Sequence, residues 1–265
     1  MRRSSRNSRM AVTREGFYRL IRNTSFNFNK TTTIMKKLLL AAGLLVSANA
    51  VFAQKESVTG NGNVVTREIP VSSFDQLRSS GVYQLQLSQG DKESVKIEAD
   101  ENLQEYFSVK NEGSKLVIDM TKKKNLNIRK STKMIVHVTF RSLKSMDLNM
   151  VGSVRSAEPL SFSDLKVKNN SVGSVDLKLT ANSFDLDNSA VGSVTLSGKA
   201  QRAVINSDAV GGIRAGDFVV QTLTIDNDGV GSAEVNAEKE IHVKDSFLGK
   251  VKNRGAAKMK KKEVI

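Results

Sequence analysis

The 265-residue chain has no cysteine, no tryptophan and only two prolines, and it carries a formal charge of +14. Without cysteine, a disulfide framework, a thiolate metal site and a cysteine nucleophile are all excluded, and an oxidising compartment does the chain no harm. The charge sits at the ends: residues 1–34 hold eight Lys/Arg and one acid, Lys36 and Lys37 follow, and four lysines cluster at 258–262. The body between them is close to neutral, so no basic groove for nucleic acid is indicated.

Residues 1–34 are rich in Arg and Ser and precede Met35-Lys36-Lys37, the apolar run Leu38 to Val46, and the small residues Ala48, Ala50 and Ala53. A basic n-region, a short apolar h-region and small residues before the cut spell a secretory signal peptide over 35–53. Cleavage after Ala53 leaves Gln54 first; cleavage after Ala50 is the alternative. The run is shorter than the ~20 apolar residues that cross a bilayer, so no transmembrane segment is expected after cleavage. With no cysteine at the cut, a lipoprotein anchor is excluded as well. Residues 1–34 are expected to be an extension upstream of a true start at Met35, with a mitochondrial-type presequence as the other reading.

Residues 54–145 read as a β-rich N-terminal region. Val82 to Leu87 alternates apolar and polar, and Ser94 to Ala99, Lys115 to Met120 and Lys133 to Phe140 are further strands. Asn111-Glu112-Gly113-Ser114 is a hairpin-like turn. Asp100 caps one short helix that runs to Phe107. Lys122-Lys123-Lys124 is a basic loop.

Residues 146–254 contain an internal repeat. Val-Gly-Ser-Val stands at 151–154, 172–175 and 191–194, followed by Val210-Gly211-Gly212-Ile213, Val230-Gly231-Ser232-Ala233 and Leu248-Gly249-Lys250-Val251. Each copy follows the last by 18 to 21 residues. Pairs spaced by two precede the Val (Leu165/Val167, Phe184/Leu186, Ala203/Ile205, Leu223/Ile225, Ile241/Val243). Matching pairs follow the Gly (Val175/Leu177, Val194/Leu196, Ile213/Ala215, Ala233/Val235). Spacing by two is the signature of a strand with one face inward, so each repeat holds two short strands. The Asn/Asp/Ser corner before each Val suits a turn, and the Gly suits a tight bend or close backbone approach. Stacked at about 4.8 Å, such units make an all-β, right-handed parallel β-helix with short coils of about 19 residues. Residues 255–265 form a basic C-terminal tail, a guard for the open strand edge at the end of the stack.

The order Gly60-Asn61-Gly62-Asn63-Val64-Val65, Phe74-Asp75, Gly81-Val82-Tyr83, Gln89-Gly90-Asp91, Val95 to Asn102 and the Val-Gly-Ser-Val coils resembles the auto-transporter adhesin head GIN domain family, found mainly in Bacteroidota. The resemblance covers roughly residues 60–250. It implies an exported β-helical domain in the periplasm or on the cell surface of a Gram-negative bacterium, and it brings no catalytic residues with it.

The residues themselves offer little chemistry. His137 and His242 both point outward, without a catalytic partner or second ligand in the sequence. The outward column Arg155, Asp176, Thr195, Arg214, Glu234 and Lys252 alternates in sign, as expected for structural ion pairs. Asp187, Asp208, Asp226, Asp228 and Asp245 line the corner and raise the question of calcium, although the Gly-Gly-x-Gly-x-Asp pattern of calcium β-rolls is missing. No catalytic, cofactor or metal residue is assigned. The reading is a non-catalytic, adhesin-like binding module with a cell-surface glycan or an envelope protein as partner. A structural, self-assembling envelope protein and a polysaccharide-degrading enzyme are the alternatives, and a homo-oligomer stays open.

Overall fold

Pairs of apolar residues spaced by two need a partner layer, and in this chain the layer is the next copy of the same pair. The computed structural model describes residues 57–120 and 127–261; the expected signal peptide, the expected upstream extension and the basic loop Lys122-Lys123-Lys124 lie outside the described residues. The strands are β1 (Ser57–Thr59), β2 (Val64–Ile69), β3 (Gln76–Val82), β4 (Gln84–Gln89), β5 (Ser94–Asp100), β6 (Ser108–Glu112), β7 (Lys115–Asp119), β8 (Asn127–Lys130) and β9 (Met134–Phe140). The coils continue through β10 (Ser145–Val151), β11 (Val154–Ser156), β12 (Leu160–Asn169), β13 (Val175–Asn188), β14 (Val194–Ser207), β15 (Ile213–Asn227), β16 (Ala233–Asp245), β17 (Val251–Asn253) and β18 (Met259–Lys261).

The protein is a parallel β-helix. Leu165, Phe184, Ala203, Leu223 and Ile241 stand in register up the stack, as do Val167, Leu186, Ile205, Ile225 and Val243. Every one of these residues is buried, and so are Val175, Val194, Ile213 and Ala233 on the other side of the corner. One element differs from the sequence reading. The two short strands per repeat are joined, so β13 and β14 each run 14 residues and break only at the Val-Gly corner. The joint carries a third set of inward residues, among them Leu179, Ala181, Ala200, Phe218 and Val220. Ala200 and Ala203 are small and buried, and the rings of Phe184 and Phe218 meet nearby edge to face at 5.6 Å. Volume is shared between coils there, as close packing requires.

The corner column before each Val also differs. Asn169, Asn188, Ser207 and Asn227 point inward and are buried. Asn169 Nδ2 donates to Asn188 Oδ1 at 2.9 Å, and Asn188 Nδ2 to Ser207 Oγ at 3.2 Å. Asn227 Nδ2 donates to the Gly231 and Gly249 carbonyls at 3.0 and 2.8 Å. A buried amide is tolerated only when partnered, and here the stack supplies the partner. Asn188→Ala strands a donor on Asn169 and is expected to cost about 2 kcal/mol. Asn206→Ala removes an exposed bond to Asp187 and is expected to cost under about 0.5 kcal/mol. Urea midpoints of the two variants check this; equal shifts would refute the ladder.

The N-terminal region is partly solenoid. β3 pairs in parallel with β10, and β4 with β11. β7 then stacks on β3, and β9 on β4. Val82 aligns with Val151 and Leu85 with Val154, so Val82-Tyr83-Gln84-Leu85 is a further copy of the corner with Tyr83 at the glycine position. Tyr83 turns inward, is 3% exposed, and shares a 2.7 Å hydrogen bond with Ser79. Below this level the direction changes: β6 runs antiparallel to β7, β5 to β9 and β2 to β5. These strands cover the base of the stack.

The short helix exists as a 3-10 helix over Glu101–Tyr106, and Asp100 makes no side-chain cap to it. Its buried carboxylate instead accepts the Gly62 and Thr132 N–H groups, both at 2.7 Å. Burial pushes this carboxyl up, but the N–H donors outweigh it and hold the group below its ordinary value. At the other end β17 and β18 pair with β16. Asn253 closes that coil, donating to the Ala237, Gly255 and Ala257 carbonyls and accepting the Ala237 N–H at 2.8 Å.

Candidate functional site

Where β3 begins, the β4–β5 and β9–β10 turns and Ser114 enclose an open cleft of about 940 Å³. Its walls carry Ser73, Asp75, Gln89, Asp91, Glu93, Arg141 and Lys144 over a floor that includes buried Phe74. Several of these side chains are fixed. Lys144 Nζ donates to Asp75 Oδ2 at 2.8 Å, and Ser73 Oγ to Glu93 Oε1 at 2.7 Å. Gln89 staples two turns, donating to the Arg141 and Ser161 carbonyls at 3.1 Å and accepting the Ser161 N–H at 2.8 Å. The bond from Lys144 lowers the Asp75 carboxyl and raises the Lys144 ammonium, while the Ser73 hydroxyl lowers Glu93. The cleft therefore presents ionised carboxylates beside a guanidinium and an ammonium at neutral pH. Nothing in the sequence marks it, because its residues come from five separate stretches without periodicity; Phe74-Asp75 and Gln89-Gly90-Asp91 stand out there only through the family resemblance.

The residues singled out in the sequence are dispersed. His137 lies 3.5 Å from Glu98, which also takes Lys133 at 2.7 Å, and His242 lies 3.1 Å from Glu240. Both histidines are outward, and among the described residues each meets a glutamate and not a nucleophile. Of the corner acids, Asp245 stands apart, accepting the Val251 N–H at 3.5 Å, and the other four, Asp187, Asp208, Asp226 and Asp228, line a second groove of about 450 Å³. There Lys244 binds both Asp226 and Asp228, at 2.9 and 2.8 Å, which raises the Lys244 ammonium, and Asp187 accepts the Asn206 amide at 3.1 Å. Among the described residues no three acids or histidines gather where a metal ion would need them. Arg155 and Asp176 stand side by side in register. Glu234 meets Arg254 of the last coil and not the flanking Arg214 or Lys252 expected from the alternation.

A third surface is apolar. The first Val of each corner points outward, and Val151, Val172, Val191, Val210 and Val230 form an unbroken parallel ladder. Val82 joins it below Val151, and Leu248 lies above Val230, where its carbonyl accepts the Gly231 N–H at 3.1 Å. All seven side chains are between 43% and 58% exposed. The repeat made these residues visible in the sequence, but the way they point is seen only in the structure, where the residue before each of Val151, Val172, Val191, Val210 and Val230 is buried.

A family model described as "Putative auto-transporter adhesin, head GIN domain" matches residues 73–257. The chain belongs to this family. Among solved structures, one described as a "putative adhesin" of Bacteroides fragilis is 23% identical, with a TM-score of 0.67 over 77% of this chain and 99% of its own. A "putative lipid binding protein" of Parabacteroides distasonis is 22% identical, with a TM-score of 0.56 over 78% of this chain and 100% of its own. A "putative adhesin" from the same species is 20% identical, with a TM-score of 0.51 over 78% of this chain and 96% of its own. At such identities the likeness is one of fold, and fold alone does not carry a ligand. No curated protein matches the chain. No helix among the described residues is long and apolar enough to cross a membrane.

Proposed function

We propose that this adhesin-family chain is an exported, non-catalytic binding module of a Gram-negative envelope that holds a cell-surface glycan in the cleft beside Asp75 and Arg141. The observation that carries this reading is the prebuilt polar lining. Saccharide hydroxyls are both donors and acceptors, and they match a wall where the Asp75 and Glu93 carboxylates, the Gln89 amide and the Lys144 ammonium are already fixed by their own bonds. Little ordering is left for the ligand to impose. Asp75 is held by Lys144 and Glu93 by Ser73, and both carboxyls are pushed down, opposite to the shift of the acid in the usual two-carboxylate glycosidase. That favours holding over cleaving.

Binding to a glycan array followed by calorimetric titration tests the reading. Arg141→Ala is expected to weaken the best glycan by about tenfold or more, equivalent to about 1.4 kcal/mol, without moving the melting point. Asp176→Asn, in the outward column, is expected to leave affinity unchanged. Release of new reducing ends, or equal affinity in both variants, would reject the proposal. End-to-end self-assembly is less favoured, because the base of the stack ends in the antiparallel strands β2 and β6 and so does not repeat the parallel coil that the other end presents.

A further inference from the structure

The valine ladder calls for an explanation that stability does not give. Stacking of β-branched residues up a solenoid corner suits Thr as well as Val, since both fit the same extended backbone. Elsewhere on the surface the chain uses that freedom: the outward column after the corner holds Arg155, Asp176 and Thr195. At the ladder all seven positions are aliphatic, and half of each side chain is left in water. A contiguous apolar strip of this kind marks a contact surface.

We infer that the strip is the contact face of an antiparallel homodimer whose two-fold axis crosses at Val191. A ridge with one side chain every ~4.8 Å is matched in period by another copy of itself. Seven rungs have Val191 at their centre, so reversal sets Val172 against Val210, Val151 against Val230 and Val82 against Leu248.

The flanking columns support the antiparallel sense. Two residues before each rung stand Ser80, Asn149, Asn170, Ser189, Asp208, Asp228 and Ser246. Reversal sets Asn149 and Asn170, whose amides donate to Asp147 and Asn149 within the chain, opposite Asp228, which holds Lys244, and Asp208, twice over by symmetry, and serine opposite serine. Two residues after each rung, Gln84 meets Lys250 and the remaining positions are Ser or Gly. No like charges face each other anywhere on the strip. A parallel pair would set Asp208 against Gly212, which has no side chain to donate. The strip is about 29 Å long and three columns wide. It therefore covers on the order of 600 Å² per copy, short of the ~800 Å² of a standard stable interface, so the dimer is weak and concentration-dependent. The inference stands on the strip alone and is independent of what the cleft binds.

Sedimentation equilibrium up to about 100 µM suits an interface of this size, and a mass rising toward twice the monomer is expected. Val172→Thr/Val191→Thr/Val210→Thr keeps the β-branched shape. It is expected to weaken dimerisation by about tenfold or more with an unchanged melting temperature. Because the chain has no cysteine of its own, single cysteines report the geometry. Val191→Cys is expected to oxidise to a disulfide-linked dimer. Val151→Cys is expected to stay monomeric alone and to cross-link when mixed with Val230→Cys. A monodisperse monomer at every concentration overturns the inference. So does self-cross-linking of Val151→Cys, or co-sedimentation with phosphatidylcholine vesicles that the triple threonine variant abolishes, which would assign the strip to lipid.

Discussion

Leu186→Asp is expected to cost about 4 kcal/mol or more, enough to unfold a domain of ordinary stability. Leu186 is 2% exposed and lies between Val167 below and Ile205 above, both buried. A carboxylate there has no cation in the solenoid interior to pair with, so it must either stay charged in an apolar column or take up a proton. Asp185→Asn, one position away, is the control. Its side chain faces outward, and one oxygen, Oδ1, is buried without a hydrogen bond. Neutralising it removes an imperfectly solvated charge, so a change within about 0.5 kcal/mol is expected. Urea unfolding of both variants, followed by far-ultraviolet circular dichroism, measures the difference. Comparable losses would show that the alternation of this strand has been assigned to the wrong faces.

That register was legible because the signal repeats. The pair Phe184/Leu186 would mean little alone; five such pairs at matching distance from a Val-Gly define an inward face. The joint between the two halves of each coil was not legible, since Leu179, Gly198 and Phe218 occupy one aligned position with three different sizes. Only stacking shows why a glycine stands in that column: at φ +110, a Cβ on Gly198 would strike the Leu179 carbonyl of the neighbouring coil. The corner asparagines look like turn residues in the sequence, because their chemistry is common in turns. Their burial depends on neighbours 19 residues away, as for Asn169 and Asn188. The cleft was illegible for a related reason: Asp75 and Lys144 are 69 positions apart, and no period links them. Tyr83 hid a copy of the corner by standing where every later copy has glycine.

That glycine position gives the other large effect. Gly192 has φ +139, and a Cβ there would collide with the Gly173 carbonyl of the preceding coil. Two costs are therefore combined at one residue, a backbone conformation that L side chains avoid and a steric clash with backbone that cannot rotate away. Gly62 separates them, for it has φ +83 and nothing within 4 Å of the added carbon. Gly62→Ala is expected to cost about 1–2 kcal/mol, the conformational part alone. Gly192→Ala must in addition push two coils apart or twist the corner out of register, breaking the hydrogen bonds from Gly173 N–H to the Val191 carbonyl (2.9 Å) and from Gly192 N–H to Val210 (2.9 Å). The expected loss is about 4 kcal/mol or more, at the exceptional end of single substitutions. Thermal melts of the two variants beside the parent chain decide it. If Gly192→Ala melts no lower than Gly62→Ala, the glycine column is there for its dihedral angles alone and the coils are not held at backbone contact along this corner.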